Sequence, residues 1–215
     1  MKVYKPAPIY KILLIGETHV GKTSLKIRFT EEKFLVDFKS TIGLDYKVKS
    51  VIINNQTFKI SIWDTAGQEK YRSLVKSFYN NTHGIILCFD ICDEKSFFEI
   101  KNYWIKEIQN YVNCKDEKCK IFLCGTKLDK KENRKILFQE AKRFADEMQI
   151  QYFETSAMKN LNIEEMFNHV VEDINKAQNF YITQEVIDSP NKNEILESSK
   201  INDSKFDKSS SNCCN

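Results

Sequence analysis

A short apolar run followed by a glycine-containing loop and a helical pattern constrains this chain more than any other feature. The run ILLI leads into Gly16–Thr23, whose sequence GETHVGKT follows the pattern G-x-x-x-x-G-K-[ST]. The two glycines permit a backbone path that turns successive N–H groups inward around a phosphate. The Lys22 ammonium would reach the β- and γ-phosphates of a nucleotide, and the Thr23 hydroxyl would coordinate Mg²⁺. The segment therefore predicts a phosphate-binding loop between a strand and a helix.

The composition is typical of one folded domain with a tail, and it argues against several other classes of protein. Of 215 residues, 41% are hydrophobic and 29% are charged, which suits a packed core under a polar surface. A net charge of +3 is too small to indicate nucleic-acid binding. No apolar stretch approaches the roughly 18–20 residues of a membrane span, and the first residues lack the apolar core of a signal peptide.

The cysteines and histidines do not form a metal-binding pattern. The three histidines are scattered, and no pair of cysteines has a partner pair at the spacing of a zinc site. Seven is an odd number of cysteines, and Cys88, Cys92 and Cys124 lie within or beside apolar runs. This usage predicts buried thiols in a reducing compartment.

Short apolar runs alternate with helical patterns along the chain. The predicted strands are Ile9–Ile15, Asp45–Ile53, Thr57–Asp64, Gly84–Asp90, Lys120–Thr126 and Gln151–Glu154. Two amphipathic stripes predict helices, one through Phe97, Ile100, Trp104, Ile108 and Tyr111, the other through Ile163, Met166, Phe167, Val170, Val171 and Ile174. The alternation predicts an α/β fold with a mostly parallel sheet covered by helices on both faces. The short turn Asn54–Gln56 predicts an antiparallel hairpin of the second and third strands.

The composition changes towards the end of the chain. From about Gln178 it shifts to Asn, Ser, Lys, Asp and Glu with few aromatic residues. Such a segment buries too little apolar surface to fold by itself. We therefore expect a short N-terminal extension over residues 1–8, a folded domain over residues 9–180, and a disordered tail over residues 181–215.

A second motif, WDTAGQE at Trp63–Glu69, follows the predicted hairpin. An aspartate at a strand end beside a phosphate loop, here Asp64, can hold Mg²⁺ directly or through water. The N–H of Gly67 could contact a γ-phosphate, and Gln68 stands where a side chain could orient an attacking water.

Five motifs in order carry a resemblance to the Ras superfamily of small GTPases, and specifically to the Rab family. They are the phosphate loop, STIG at Ser40–Gly43, WDTAGQE, TKLD at Thr126–Asp129 and ETSA at Glu154–Ala157. The resemblance covers roughly residues 9–180. It implies the G domain of P-loop NTPases, with a six-stranded, mostly parallel sheet that contains one antiparallel hairpin strand. It also implies binding of GTP and GDP with Mg²⁺, and GTP hydrolysis that is slow without an activating protein.

The resemblance also assigns expected roles to individual residues. Lys22 and Gln68 would be catalytic, and Thr23, Thr41 and Asp64 would serve the metal. The nucleotide would be bound by Gly16, Thr18, His19, Val20, Gly21, Lys22, Thr23, Ser24, Phe34, Phe38, Thr41, Gly67, Thr126, Lys127, Asp129, Ser156, Ala157 and Met158.

Recognition of guanine would depend on one carboxylate. The resemblance implies that Asp129 accepts hydrogen bonds from the N1–H and the exocyclic amine of guanine, a donor pattern that adenine does not offer. The Lys127 stem would lie along the base, and the Ala157 N–H would bond the guanine carbonyl. Phe34 would pack on the base, and Phe38 would close over the phosphates.

The chain departs from the family pattern at four positions. Thr126 stands where most of the superfamily has Asn, which implies one fewer amide contact. Met158 replaces a common Lys, which removes one contact at the ring edge. His19 replaces a usual Gly, so either its imidazole faces solvent or the loop holds phosphate less well and exchanges nucleotide faster. Thr18 would crowd Gln68, and we hypothesise slow intrinsic hydrolysis.

The resemblance further implies a switch with several partners. Thr41 and Gly67 would hold two segments only while the γ-phosphate is present. Effectors would read the GTP state through Tyr46, Trp63 and Phe78. The implied regulators are an exchange factor, a GTPase-activating protein that completes the catalytic site, a Rab escort protein and a GDP dissociation inhibitor, all acting on a monomer.

The chain ends in Cys213, Cys214 and Asn215, so a C-a-a-X box is absent. Paired terminal cysteines resemble the double-geranylgeranyl signal of Rabs, and two lipids are needed because one gives only marginal anchoring. The expected location is the cytoplasmic face of intracellular membranes, with a soluble cytosolic pool. The stretches Asp45–Ser50 and Lys130–Arg134 resemble the Rab branch of the endoplasmic reticulum and lipid droplets, which suggests the endoplasmic reticulum or the Golgi.

The sequence leaves three alternatives open. Thr126 is also found in Rho-like regulators, although the chain has no Rho-type insertion after Asp129. A P-loop small-molecule kinase would need an arginine-bearing lid and would not need Asp129. The third alternative is a nucleotide-locked binding protein with negligible turnover, which Thr18 and His19 keep open.

Overall fold

A computed structural model describes residues 7–35, 44–65, 78–111 and 119–188 of the chain. Six strands form one sheet in the order β2-β3-β1-β4-β5-β6. Their bounds are β1 Ile9–Ile15, β2 Leu44–Ile53, β3 Gln56–Thr65, β4 Gly84–Asp90, β5 Lys120–Thr126 and β6 Gln151–Glu154. All neighbouring strands pair in parallel except β2 and β3, which are antiparallel. The predicted six-stranded α/β architecture is confirmed.

Five α-helices lie between or after these strands in the described residues. They are α1 Lys22–Glu31, α2 Glu94–Glu99, α3 Ile105–Tyr111, α4 Phe138–Glu147 and α5 Ile163–Asp188. A π-helical turn, Ile100–Trp104, joins α2 to α3, and a 3₁₀ segment, Leu128–Asn133, follows β5. The stripe that predicted one regular helix between β4 and β5 therefore contains a turn with one extra residue.

The β2–β3 hairpin has a two-residue turn. Asn54 and Asn55 adopt φ values of 50° and 63°, and Ile53 pairs with Gln56. Positive φ at both central residues is the mark of a type I′ turn, whose twist matches that of the flanking strands. Asparagine tolerates this conformation better than most residues, which explains why the sequence makes its hairpin here.

The core occupies both faces of the sheet, because alternate strand residues point in opposite directions. On one face Ile12 and Leu14 of β1 share a buried cluster with α1 and α5. On the other face Leu13 and Ile15 share a second cluster with α2, α3 and α4. Both predicted amphipathic stripes are buried where their side chains are described, at Phe97, Ile100, Trp104, Ile108, Ile163, Met166, Phe167, Val170, Val171 and Ile174.

Cys88 and Cys124 lie side by side on β4 and β5 and are buried, as predicted, whereas Cys92 is only partly buried in the turn after β4. A hydrogen bond with Cys124, together with burial, raises the pKa of the Cys88 thiol well above its usual value.

Contacts divide the chain into a unit of residues 1–178, which contains the whole sheet, and a unit of residues 179–215. Helix α5 continues to Asp188, so the boundary predicted at residue 180 falls inside a helix. Residues 181–188 have the sequence YITQEVID, in which four of the eight residues are apolar and no Gly or Pro would end a helix. Pro190 follows shortly after the helix, and the residue before a proline disfavours helical geometry.

Among the helices that the structure describes, none combines the length and the apolar character needed to cross a membrane.

The parallel strands β1, β3, β4, β5 and β6 end at the same edge of the sheet. In open α/β sheets this carboxyl edge is where ligands bind. Four of the predicted motifs begin within the last three residues of these strands or directly after them, and the fold therefore gathers them along one edge.

Candidate nucleotide-binding site

The predicted phosphate loop connects β1 to α1. Gly16 has a φ of +144°, and a Cβ on it would lie 2.1 Å from the carbonyl oxygen of Cys88, so no side chain fits there. Gly21 has a φ of +100° and occupies the N-cap position of α1, where no side chain caps the helix. The first N–H groups of α1 therefore have no side-chain cap and point out of the helix towards the loop.

Lys22 begins α1 and is buried, with 5% of its surface exposed. Its Nζ donates hydrogen bonds of 2.7 Å to the carbonyl oxygens of Gly16 and Glu17. Burial lowers the pKa of the Lys22 ammonium, and the negative charge of Asp64 partly opposes this shift. The carbonyl groups of the loop thus hold the Lys22 ammonium and fix its position.

Two of the predicted metal ligands contact each other. The Thr23 Oγ1 donates a hydrogen bond of 2.5 Å to Oδ2 of Asp64, which is fully buried near the end of β3. A hydroxyl and a carboxylate are the hard oxygen donors that Mg²⁺ prefers. Within the described residues no group of three or more His, Cys, Asp or Glu side chains comes together. The donor set fits Mg²⁺, which is usually held by few protein ligands together with phosphates and water.

A second lysine, Lys26, reaches the same carboxylate and was not anticipated. It lies one turn after Lys22 on α1 and is fully buried. Its Nζ lies 2.5 Å from Oδ2 of Asp45 and 3.4 Å from Oδ2 of Asp64. The signal available in the sequence was its spacing, since residues four apart share one face of a helix.

The predicted base-binding motifs surround a cavity of about 260 Å³ beside the phosphate loop. Its walls include eight predicted nucleotide-binding residues: Gly21, Ser24, Phe34, Thr126, Lys127, Asp129, Ala157 and Met158. A Cβ on Gly21 would lie 3.8 Å from Thr126 Cβ and 4.0 Å from Lys127 Cε. The TKLD motif thus packs directly on the phosphate loop.

Asp129 is held in position by a buried serine. Ser156 Oγ donates a hydrogen bond of 2.5 Å to Oδ1 of Asp129 and accepts one of 3.0 Å from the N–H of Lys159. The backbone N–H of Leu128 donates to the carbonyl of Thr155 at 3.0 Å. These contacts join the TKLD and ETSA motifs, and the hydroxyl–carboxylate bond limits how Asp129 can turn.

Lys127 adopts a left-handed conformation with a φ of 62°, and its Nζ pairs with Oδ2 of Asp90 at 2.7 Å. The pair leaves the aliphatic stem of Lys127 on the cavity wall.

Thr126 joins the phosphate loop to the sheet. Its buried Oγ1 lies within hydrogen-bond distance of two carbonyl oxygens, that of Val20 in the loop and that of Phe89 in β4, the latter at 2.9 Å. A hydroxyl has one hydrogen, so Thr126 can donate to only one of these carbonyls at a time. An asparagine amide has two, which gives the predicted loss of one contact a physical basis.

Two further contacts to the site were missed. Arg28 of α1 donates from Nε to the carbonyl of Ala157 at 2.7 Å and so joins α1 to the base-binding loop. Trp104, in the π-helical turn, donates from Nε1 to Oε1 of Glu17 in the phosphate loop at 3.0 Å. Both pairs are distant in sequence, and no local pattern marks them.

The unusual loop residues differ in environment. His19 is exposed and has a φ of 62°, whereas Thr18 is partly buried and Val20 is buried. The exposure of His19 agrees with an imidazole that faces solvent, the first of the two interpretations of this position.

The three aromatic residues predicted to bind effectors lie together. The rings of Tyr46 and Trp63 stack with centroids 4.9 Å apart, and the ring of Phe78 lies 5.7 Å from Trp63. Tyr46 is 55% exposed, and Trp63 and Phe78 are partly buried. Lys11 Nζ lies 4.8 Å from the ring centroid of Trp63.

Several predicted residues lie outside the described part of the chain. They are Phe38, Thr41, Gly67, Gln68, Cys213 and Cys214. Their roles in phosphate contact, catalysis and lipid attachment stay predictions.

Comparison with known proteins agrees with this arrangement. Residues 11–176 match the Ras family. The chain is 43% identical to the Ras-related protein Rab-13 of Mesocricetus auratus, over 77% of this chain and 80% of that protein. It is 43% identical to the Ras-related protein RABD2a of Arabidopsis thaliana, over 74% of this chain and 76% of that protein. It is 41% identical to the GTP-binding protein YPT1 of Saccharomyces cerevisiae, over 74% of this chain and 75% of that protein.

The chain therefore belongs to the Ras family and, within it, to the Rab-family small GTPases. It is a GTPase that converts GTP and water to GDP and phosphate. Rab-family proteins bind GTP and GDP, typically with Mg²⁺, and act in transport at intracellular membranes. This membership decides against the Rho-like and kinase alternatives.

Proposed function

We propose that this GTPase is a switch that recruits effectors to an intracellular membrane while GTP is bound. The observation that carries the proposal is the cavity whose walls run from Gly21 of the phosphate loop to Asp129 of the TKLD motif. A nucleotide seated there would have its phosphates at Lys22 and its base at Asp129.

The base end would select guanine. The Asp129 carboxylate can accept two hydrogen bonds, and guanine offers two adjacent donors where adenine offers one donor and one acceptor. Ser156 holds the carboxylate from behind, and Phe34 and the Lys127 stem would sandwich the base.

The phosphate end would hold Mg²⁺ through Thr23 and Asp64, with Thr41 as the third predicted ligand. The ion, when bound, would neutralise charge that develops between the β- and γ-phosphates. Lys22 adds a second fixed positive charge at the same place, and Gln68 would align the attacking water. Thr18 would crowd Gln68, so we expect slow unassisted hydrolysis and a GTPase-activating protein that completes the site.

The hairpin links the nucleotide site to the proposed effector surface. In the β2–β3 register Asp45 lies opposite Asp64, and Tyr46 lies opposite Trp63. Successive strand residues face opposite sides of a sheet, so the carboxylates face α1 while the aromatic rings lie on the other side. A change in the metal site can therefore reach the effector surface through one pair of strands.

Membrane attachment would come from geranylgeranyl groups on Cys213 and Cys214. The proposal implies a Rab escort protein, a GDP dissociation inhibitor and an exchange factor as partners, and a cytosolic pool of extracted protein. The endoplasmic reticulum and the Golgi are the proposed locations.

The first experiment denatures the purified full chain and identifies the nucleotide that it releases. We expect GDP or GTP at close to one per chain, released faster when Mg²⁺ is chelated. Adenine nucleotide would overturn the proposed base readout. A single-turnover hydrolysis rate clearly above about 10⁻³ s⁻¹, the upper range of an unassisted Ras-type site, would contradict the proposed effect of Thr18.

The second experiment uses the two nucleotide states of the same protein as bait. We expect proteins from the native host to be retained by the GTP-loaded form, and a Tyr46→Ala variant to lose them while still binding nucleotide. Equal retention by the GDP and GTP forms would contradict the switch.

A further inference from the structure

A buried ammonium group lies behind the proposed magnesium site. Lys26 has no exposed surface, and neither does Asp64. The Asp45 side chain, which forms the other contact of Lys26, is 57% exposed. The Lys26 charge is therefore shared between one buried carboxylate and one that faces solvent.

A single oxygen atom connects this lysine to the metal site. Oδ2 of Asp64 accepts from Thr23 Oγ1 at 2.5 Å and lies 3.4 Å from Lys26 Nζ. Thr23 and Asp64 are the residues proposed to serve Mg²⁺. The carboxylate proposed to serve the divalent cation thus has a permanent cation of the protein beside it.

We propose that Lys26 is a built-in counter-cation of Asp64 that makes nucleotide retention less dependent on Mg²⁺. Lys26 is a positioning residue, since it acts on the nucleotide through Asp64 and not by contact. The inference rests on the proposed function, because it assumes that Thr23 and Asp64 hold the metal beside the phosphates.

The physical reason is a competition between two cations for one carboxylate. Charges interact more strongly where water is excluded, and Lys26 and Asp64 are both fully buried. Like charges repel, so Lys26 weakens the binding of Mg²⁺ at this site. When Mg²⁺ leaves, Asp64 keeps a cationic partner, so its negative charge repels the phosphates less than it would alone.

Asp45 partly compensates the Lys26 charge and so determines how strongly Lys26 acts on Asp64 and on a bound Mg²⁺. It is the nearer of the two carboxylates, at 2.5 Å against 3.4 Å. Removing the Asp45 charge would leave the Lys26 ammonium to act on Asp64 and Mg²⁺ with less compensation. Substitutions at Lys26 and at Asp45 should therefore shift the magnesium requirement in opposite directions.

The test measures release of a fluorescent GDP analogue from the full chain over a series of free Mg²⁺ concentrations and after chelation. The variants are Lys26→Met and Asp45→Asn, with Lys47→Met as the matched control. Lys47 joins β2 to Glu31 of α1 as a surface pair, so its loss changes the net charge equally but away from Asp64.

For K26M we expect the half-saturating Mg²⁺ concentration to fall about tenfold, the size of one moderate charge interaction. Chelation should then accelerate GDP release about tenfold more in K26M than in the unchanged protein. D45N should need more Mg²⁺ than the unchanged protein. The control K47M should need the same Mg²⁺ concentration as the unchanged protein.

Equal magnesium requirements in K26M and the unchanged protein would overturn the inference. A shift of K26M and D45N in the same direction would also overturn it, because general damage to the fold moves both alike. If K26M fails to fold, D45N decides, and an unchanged requirement there overturns the inference. Failure of the unchanged protein to bind GDP with Mg²⁺ would instead overturn the proposed function, and the inference with it.

Discussion

The two ends of the proposed nucleotide site differ in how their charged side chains are placed. At the phosphate end, three charged side chains, Lys22, Lys26 and Asp64, are almost completely buried and contact one another or the loop backbone. At the base end, Asp129 is the single carboxylate among the described residues that line the cavity, and it is only partly buried. The phosphate end therefore holds several buried charges, whereas the base end holds one carboxylate that would distinguish guanine from other bases.

This difference predicts how each end responds to substitution. Buried charges interact strongly and leave a large penalty when one partner is removed, so changes at the phosphate end should alter affinity for every nucleotide. A single hydrogen-bonding group that reads one donor pattern should instead alter which base is bound. Affinity for all nucleotides and selectivity for guanine should therefore respond to different substitutions.

The largest effect is expected for Lys22→Met. Loss of the buried ammonium would remove the proposed charge-assisted contacts to the phosphates and should weaken GDP and GTP binding by about 10³-fold, or about 4 kcal/mol. The preference for guanine over adenine nucleotides should not change. Equilibrium titration with fluorescent GDP measures the loss, and Lys33→Met, an exposed lysine after α1, serves as the control. A changed base preference in K22M would contradict the proposal that the phosphate end sets affinity and the base end sets selectivity.

Asp129→Asn should change the identity of the bound base. An asparagine amide offers one donor and one acceptor, so it no longer matches the two donors of guanine but does match xanthine, which has a carbonyl next to N1–H. We expect GDP affinity to fall by about 10²-fold, because the substitution leaves buried polar groups of guanine and protein mismatched. The affinity for xanthosine diphosphate should rise. Competition titrations with both nucleotides measure the change.

Ser156→Ala is the matched control for that substitution. It removes the hydrogen bond that orients Asp129 but leaves the carboxylate in place. We expect GDP binding to weaken about fivefold, the usual value of one hydrogen bond, with no gain for xanthine. A gain of xanthine binding in S156A would show that Asp129 is not the group that reads the base.

Thr126→Asn should strengthen the connection between the TKLD motif at the base end and the phosphate loop. The amide of asparagine can donate to the carbonyls of both Val20 and Phe89, whereas the threonine hydroxyl can serve only one at a time. One added buried hydrogen bond is worth about 1 kcal/mol, so GDP release should slow about fivefold. Thr126→Val, which has the same shape without the hydroxyl, should release GDP faster. If T126N and T126V behave alike, the bond to Val20 does not contribute to nucleotide retention.

The fold was largely predictable because its signals are local. Four strands have the predicted bounds, and β2 and β3 extend one residue beyond them at one or both ends. Alternating core residues and an Asn-Asn turn are patterns that neighbouring residues alone can show. The helical segment after β4 was less well predicted, since the π-helical turn at Ile100–Trp104 preserves an apolar stripe while it adds a residue to one turn.

The assembly of the candidate site was predictable where its motifs follow strand ends, but not for the contacts between motifs. The phosphate loop, Asp64, Thr126 and Asp129 follow strand ends, and parallel strands bring their ends to one edge. The contacts of Lys26 with Asp45 and of Trp104 with Glu17 depend instead on how helices pack on the sheet. Such contacts join residues far apart in sequence, and packing can be read only from three-dimensional structure.

The smallest effect is expected at His19, between the two ends of the site. A residue with a side chain in the left-handed region costs about 1 kcal/mol, and histidine tolerates it better than most. Glycine removes this strain but gains entropy in the unfolded chain, so His19→Gly should stabilise the GDP-bound protein by about 0.5 kcal/mol, or about 1–2 °C in Tm. His19→Ala keeps the Cβ and should give no gain in stability.

Thermal unfolding measures the stability of both variants, and the rate of GDP release distinguishes the two interpretations of His19. Unchanged release in H19G agrees with an imidazole that faces solvent, and slower release would show that His19 loosens the phosphate loop.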